Sequence, residues 1–176
     1  MGIVKSFEEN PQADLVFGNI YDINEHDRKI GELRFTKFNF STLIYESGNI
    51  SQPAAFWKRE IYNKIGGINI KYEFCMDFDL FCRIGEEGCL VHIREPLASF
   101  RINRNAKSIV IFDVGCSEHE EIVRRYLPQD ISKLQFKYKR LKCCLKRAFR
   151  YIIQGDVDYV LRGVIRKLLF FNIFRN

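Results

Sequence analysis

The sequence predicts an α/β fold, in which helices pack against a sheet. Two observations support this prediction. Apolar runs such as ADLVFGNIYDI (13–23) have the length and β-branched content of buried strands, and segments with helical spacing of apolar residues lie between such runs. The composition, 47% hydrophobic and 28% charged over 176 residues, is that of a globular protein with a sizeable core.

The first fifty residues alternate helices and strands. Apolar residues three or four apart predict helices, and continuous or alternating apolar runs predict strands. The predicted elements are a helix over 2–10, a buried strand over 13–23, a more polar edge strand over 28–35 and a helix over 39–50 that ends at Gly48-Asn49.

Proline and glycine divide the next part of the chain. The residue before Pro53 avoids the helical region, so residues 51–58 are expected to be extended. Residues 59–67 are predicted as a short helix that Gly66-Gly67 closes, because glycine adopts the left-handed backbone of a helix end. Residues 77–88 are predicted as a second helix.

Two more elements precede the last quarter of the chain. Residues 89–102 are predicted as a strand, a turn at Pro96 and a further extended piece. Residues 117–127 are predicted as a helix capped by Ser117, with acidic residues in its first turn as the helix dipole favours.

A basic helical segment ends the sequence. An apolar stripe predicts a long amphipathic helix, and Gly155-Asp156 separates it from a second helix that continues through Leu168 and Phe171. The absence of 18 consecutive apolar residues predicts that nothing spans a bilayer. The stripe consists of Leu134, Tyr138, Leu141, Leu145, Phe149 and Ile152.

Charge is divided unevenly along the chain. Residues 133–176 hold 12 Lys/Arg and 2 Asp/Glu, whereas residues 1–132 hold 16 Lys/Arg and 20 Asp/Glu. A basic amphipathic helix is typical of a segment that lies on an anionic membrane surface. The alternative is that its apolar stripe packs on the rest of the protein. Without a recognition motif, no nucleic-acid partner is expected.

The start of the chain and its cysteines indicate the compartment. The first residues turn polar too soon for the apolar core of an export signal. The six cysteines contain no CxxC pair, so reduced thiols are expected rather than a zinc site. The sequence therefore predicts a cytoplasmic protein, associated with a membrane if the basic segment binds one.

Two carboxylates stand in an otherwise apolar run, CMDFDLFCRI (75–84). Burying charge is costly, so Asp77 and Asp79 need a reason to be there. One reason is that carboxylates in the first turn stabilise a helix by about 0.3–1 kcal/mol. The other is that they take part in chemistry.

Residues 50–108 resemble the second half of a family 2 glycosyltransferase domain. Residues 5–23 are similar to the helix and strand before that half, so the resemblance covers about residues 5–108. The matching pieces are Gln52, Phe56-Trp57-Lys58-Arg59-Glu60, Gly66-Gly67, Met76-Asp77-Phe78-Asp79-Leu80, Arg83, Pro96-Leu97 and Phe100-Arg101.

The resemblance implies a fold and a set of site residues. Members of this family have the GT-A fold, in which a nucleotide-sugar-binding half precedes an acceptor-binding half. Asp77 falls at the position of the general base, which removes a proton from the acceptor hydroxyl. Gln52, Trp57, Asp79 and Arg101 fall at substrate-binding positions.

Two of these residues have alternative interpretations. Trp57 could stack on a sugar ring or be a half-buried aromatic of the sheet. Asp79 is expected to support the helix by bonding to backbone or Arg83 rather than to bind substrate directly.

The resemblance does not include the family's nucleotide-binding strand or its metal-binding D-x-D. Asp77-Phe78-Asp79 has that spacing but falls at the base position, and Asp156-Val157-Asp158 lies in the basic segment. Asn103 stands where the family often has histidine, and it is a weaker metal ligand. Mg²⁺ or Mn²⁺ is expected for the full family domain, with none bound by this chain alone.

The implied function is sugar transfer, with inversion, from a nucleotide-sugar to a hydroxyl of a glycan or lipid-linked acceptor, as in cell-surface polysaccharide biosynthesis. Residues 1–115 would form the acceptor half and residues 116–176 a helical basic tail, so the reaction is expected to be incomplete in this chain. The alternative is a non-catalytic module that binds a membrane or a partner protein.

Overall fold

A computed structural model describes residues 2–47, 50–102 and 112–164, and these form a mixed α/β structure. Features predicted at Gly48-Asn49, Asn103, Leu168 and Phe171 lie outside the described residues. In chain order the elements are α1 (Ile3–Glu9), β1 (Leu15–Ile23), β2 (Lys29–Leu33), α2 (Phe40–Glu46), a 3₁₀ turn (Gln52–Ala54), β3 (Ala55–Trp57), α3 (Arg59–Lys64), α4 (Met76–Glu87), β4 (Leu90–Arg101), α5 (Phe112–Tyr126), α6 (Lys133–Ile153) and α7 (described over 157–164).

Strand β1 lies at the centre of a sheet of four strands in the described part of the chain. Along one side its residues 15–17 pair antiparallel with β3, and its residues 20–23 pair antiparallel with β2. Along the other side it runs parallel to β4. The first six residues of β1 are buried, as its apolar sequence predicts for a central strand.

Strand β4 is continuous, so the predicted turn at Pro96 is wrong. The register shifts on either side of Asn19, and Arg94 and Glu95 bulge out of the ladder before Pro96 pairs with Asn19. A bulge accepts proline because the missing N–H is not needed there. The Asn19 amide closes the bulge by donating to the Arg94 carbonyl at 2.7 Å.

Helices cover both faces of the sheet. Side chains alternate along a strand, so Phe17 joins one core and Val16 the other. The smaller core lies against α1. The larger one brings together α2, α3, α4 and α5, and its fully buried members include Leu43, Leu80 and Ile122.

Helix α5 belongs to this larger core rather than to a separate tail. It begins at Phe112, so a boundary between residues 115 and 116 falls inside a continuous helix. Ser117 does not cap it: its hydroxyl donates to the Val114 carbonyl at 2.9 Å within the helix. Ile122 and Val123 are buried members of the larger core.

Helix α6 packs on the protein through a face that its apolar stripe does not include. A capping box, Ser132 with Gln135, starts the helix. Its buried residues are Cys143 and Tyr151. The six stripe residues are exposed, so the expectation that the stripe packs on the rest of the protein is wrong. No helix in the described ranges has the length and apolar content needed to cross a bilayer.

Candidate functional site

The first turn of α4 presents Asp77. The helix starts at Met76, and Asp77 is half-buried there, with its Oδ1 atom accepting from the Phe78 N–H at 2.7 Å. Burial raises the pKa of the Asp77 carboxyl above its ordinary value, because removing water disfavours the charged form. A carboxylate with a raised pKa is a stronger base, which is the property that a proton acceptor in catalysis needs.

Asp79, two residues later, is fully buried and paired with two arginines. Its Oδ2 atom accepts from Arg83 Nε at 2.8 Å, which confirms the predicted contact. Its Oδ1 atom accepts from the guanidinium of Arg125 on α5. A carboxylate with no exposed surface cannot touch a substrate, so the structure removes Asp79 from the substrate-binding set and gives it a supporting role.

Arg83 also connects α4 to α3. Besides Asp79, it donates through Nη1 to the carbonyl of Ile65 at 2.7 Å. Ile65 caps the carboxyl end of α3, where a cation satisfies carbonyls that lack a helical partner. The ends of α3 and α5 are thus both tied to α4 through Asp79 and Arg83.

Glu118 on α5 holds the residues just before α4. Its Oε1 atom accepts from the backbone N–H of Glu73 at 2.7 Å, and its Oε2 atom accepts from those of Phe74 and Cys75, both at 2.8 Å. Three consecutive N–H groups form a concavity suited to an anion. Here a side chain of the same protein fills it.

Glu118 and Arg125 were both missed by the sequence analysis. Each lies more than 40 residues from its partner along the chain. The acidic residues in SEHEE were interpreted as the first turn of their own helix, whereas Glu118 binds backbone N–H groups just before a different helix. No local pattern identifies such a pairing.

Burial also shifts the pKa of two other titratable groups near the start of α4. Burial raises the pKa of the Cys75 thiol to about 11, and its Sγ atom contacts the Gly115 carbonyl at 3.3 Å. The His119 ring lies against Phe78 with 4.6 Å between ring centroids, and burial lowers its pKa. A protonated thiol is a poor nucleophile, so Cys75 is not a candidate for catalysis. Asp77 remains the candidate base because it falls at the position that the motif resemblance implies, and its raised pKa suits a proton acceptor.

The other three predicted site residues lie in different surroundings. The Trp57 ring stacks on Tyr62 at 6.4 Å and meets Phe81 edge-on at the same distance, which is the arrangement of a core aromatic. Gln52 is exposed in the 3₁₀ turn. Arg101, at the end of β4, donates to the Asn24 carbonyl at 2.9 Å and to Asp27 at 2.5 Å.

Among the described residues, no hydrogen bond or ring contact joins Asp77 to Gln52, Trp57 or Arg101. The structure thus places Asp77, Trp57 and Arg101 on the expected elements, whereas Gln52, predicted to be extended, lies in the 3₁₀ turn. The described network joins Asp79 with Arg83 and Arg125, and Asp77 lies on the same helix.

Neither D-x-D sequence is suited to a divalent cation. Asp79 is buried between two arginines. Asp156 is 8% exposed and accepts from Arg34 at 2.7 Å and Arg94 at 3.3 Å, while Asp158 pairs with Arg162. In the described ranges, no three His, Cys, Asp or Glu side chains come together as metal ligands would. Within the described ranges, the two D-x-D sequences do not fit a bound Mg²⁺ or Mn²⁺.

No protein-family model matches this chain, and no curated protein matches it either. The likeness to family 2 glycosyltransferases therefore stays a prediction from the quoted motifs.

Proposed function

We propose that this chain supplies the acceptor side of an inverting glycosyltransferase, with Asp77 as the general base. The observation that supports the proposal is the contrast between two neighbouring carboxylates. Asp79 is fully buried and neutralised by arginines. Asp77 is half-buried, has a raised pKa and has no arginine partner among the residues that the structure describes. That division suits one carboxylate that holds the helix and one that reacts.

The proposed chemistry uses Asp77 at one step. The carboxylate takes the proton of an acceptor hydroxyl as its oxygen attacks the anomeric carbon of the sugar. The bond from that carbon to the nucleoside diphosphate breaks, and the diphosphate leaves with the electron pair. Attack opposite to the leaving group inverts the anomeric carbon.

In this proposal, groups other than the described residues bind the nucleotide-sugar donor. The departing diphosphate carries charge that cations must neutralise. Both D-x-D sequences are engaged by arginines, so the proposal routes no step through a metal held here. Gln52, exposed near β4, is proposed as a hydrogen-bonding residue for the acceptor.

Binding of the labelled chain to the glycans of a microarray tests the proposal. We expect the labelled chain to bind a subset of glycans, and Asp77→Ala to weaken that binding by about tenfold or more. This expectation follows because a hydrogen bond to a charged group contributes about 1.5–3 kcal/mol. Asp113→Ala, an exposed carboxylate on α5, is the matched control and should bind as the original chain does.

Circular dichroism should show that both variants are folded. Failure to bind any glycan would contradict the proposal, and so would glycan binding that Asp77→Ala and Asp113→Ala leave equally strong.

A non-catalytic module that binds a membrane is the second candidate function. The exposed apolar stripe of α6 favours it. Membrane binding by the stripe is by itself compatible with the proposed sugar transfer, because the stripe and Asp77 lie on different elements.

A further inference from the structure

Helix α6 is fixed in its rotation about its own axis by contacts on one face. Tyr151 is 6% exposed, and its hydroxyl donates to the Arg34 carbonyl at 2.6 Å. Arg147 pairs with the nearly buried Glu46 at 2.6 Å. The Phe136 ring lies 5.3 Å from the ring of Tyr45 on α2. These contacts determine which residues of α6 point away from the protein.

The outward face of α6 is apolar along its whole length. Each residue of this stripe exposes between 49% and 78% of its surface. Exposed apolar residues are common one at a time, but a continuous stripe over five turns marks an interaction surface. The α6 stripe consists of Leu134, Tyr138, Leu141, Leu145, Phe149 and Ile152.

Lysines border the α6 stripe on both sides. At 3.6 residues per turn, Lys133 and Lys137 fall on one side of it, and Lys142 and Lys146 on the other. All four are exposed, and the helix contains no acidic residue. An apolar centre with basic borders matches a bilayer surface, where aliphatic side chains enter the acyl region and lysines reach the lipid phosphates.

We propose that the α6 stripe and its bordering lysines bind the surface of an anionic lipid bilayer, with the helix lying in the plane of the membrane. This inference does not depend on the proposed sugar transfer. Charge complementarity favours an anionic bilayer over two other partners, a second copy of this chain and a nucleic acid. A second α6 would bring lysine borders against lysine borders, which repel. A nucleic acid would neutralise the lysines but leave the aliphatic centre in water.

Vesicle flotation of the full chain tests the proposal. We expect about tenfold more binding to phosphatidylcholine vesicles containing about 30% phosphatidylglycerol than to pure phosphatidylcholine. Raising the salt concentration should weaken the binding, because ions screen the lysine–phosphate attraction.

Two double variants separate the two parts of the surface. Leu141→Gln with Leu145→Gln removes apolar contact without adding charge, and it should lower binding by about tenfold or more. Lys142→Gln with Lys146→Gln should reduce the preference for anionic vesicles. Ile70→Gln is the matched control, because Ile70 is 96% exposed in the loop before α4, and it should bind as the original chain does.

The changed side chains are exposed, so all variants should keep the original melting temperature. The proposal is overturned if the chain fails to float with anionic vesicles, or if the leucine double variant floats as well as the original chain. A dimer in light scattering that the leucine variant abolishes, without vesicle binding, would assign the stripe to a second copy and also overturn it.

Discussion

Replacing Asp79 with asparagine should lower the free energy of unfolding by about 3–5 kcal/mol. The change keeps the size of the side chain but removes the charge that neutralises Arg83 and Arg125. Removing one partner of a buried ion pair leaves the other charge uncompensated, which costs far more than losing a surface pair. We expect the lower end of the range, because Arg125 is 39% exposed and water screens part of its charge.

Urea unfolding followed by circular dichroism measures this difference. Glu9→Gln is the control, since Glu9 forms a surface pair with Lys5 at 3.7 Å and should change stability by about 0.5 kcal/mol or less. If Asp79→Asn were as mild as this control, the buried arginine contacts would not hold α4 in place.

Replacing Glu118 with glutamine should lower the free energy of unfolding by about 2–3 kcal/mol. The carboxylate accepts from three consecutive backbone N–H groups, at residues 73–75. Glutamine keeps one acceptor oxygen but turns an NH₂ group towards donors. At least one of the three N–H groups therefore loses its acceptor, the others lose a charged acceptor, and the attraction between the anion and the amino end of α4 is lost.

Hydrogen exchange locates the effect of Glu118→Gln. The amides of residues 73–75 should exchange faster in the variant, together with the global loss of stability in urea. Glu120→Gln is a matched control on the same helix, because Glu120 is 65% exposed and pairs only at the surface with Arg124. Unchanged exchange at residues 73–75 would show that Glu118 does not hold the backbone before α4.

Local sequence patterns predicted the elements that short-range physics determines. Strand β1, helix α4 and helix α6 follow from apolar spacing and glycine stops. Strand β4 was divided wrongly because Pro96 signals a turn by itself, and only the partner strand shows that a bulge accommodates it. The start of α5 was missed because Ser117 has the chemistry of a cap while lying inside the helix.

In the candidate site too, contacts within one helix could be predicted from the sequence, and contacts between helices could not. The contact between Asp79 and Arg83 is four residues apart on one helix, so the sequence was sufficient to predict it. The contacts of Glu118 and Arg125 depend on how α5 crosses α4. The outward direction of the α6 stripe likewise depends on the surface offered by α2, because periodicity identifies an apolar face without saying what covers it.

The two proposals concern separate surfaces with complementary roles. A membrane-bound α6 would hold the start of α4 at a constant distance from the lipid surface. Glu118 and Arg125 fix α5 to α4. Arg147 and Tyr151 fix α6 to the rest of the protein.

Titration of an acceptor sugar followed by amide NMR tests the central claim most directly. The titrated sugar is a glycan that binds the chain on the microarray. We predict chemical-shift changes concentrated at residues 74–79, around Asp77. At the same sugar concentration these changes should be smaller in Asp77→Ala. The Asp113→Ala control should reproduce the original shifts. Shifts confined to other parts of the chain, or shifts at residues 74–79 that Asp77→Ala leaves unchanged, would contradict the assignment of Asp77 as the reactive carboxylate of an acceptor site.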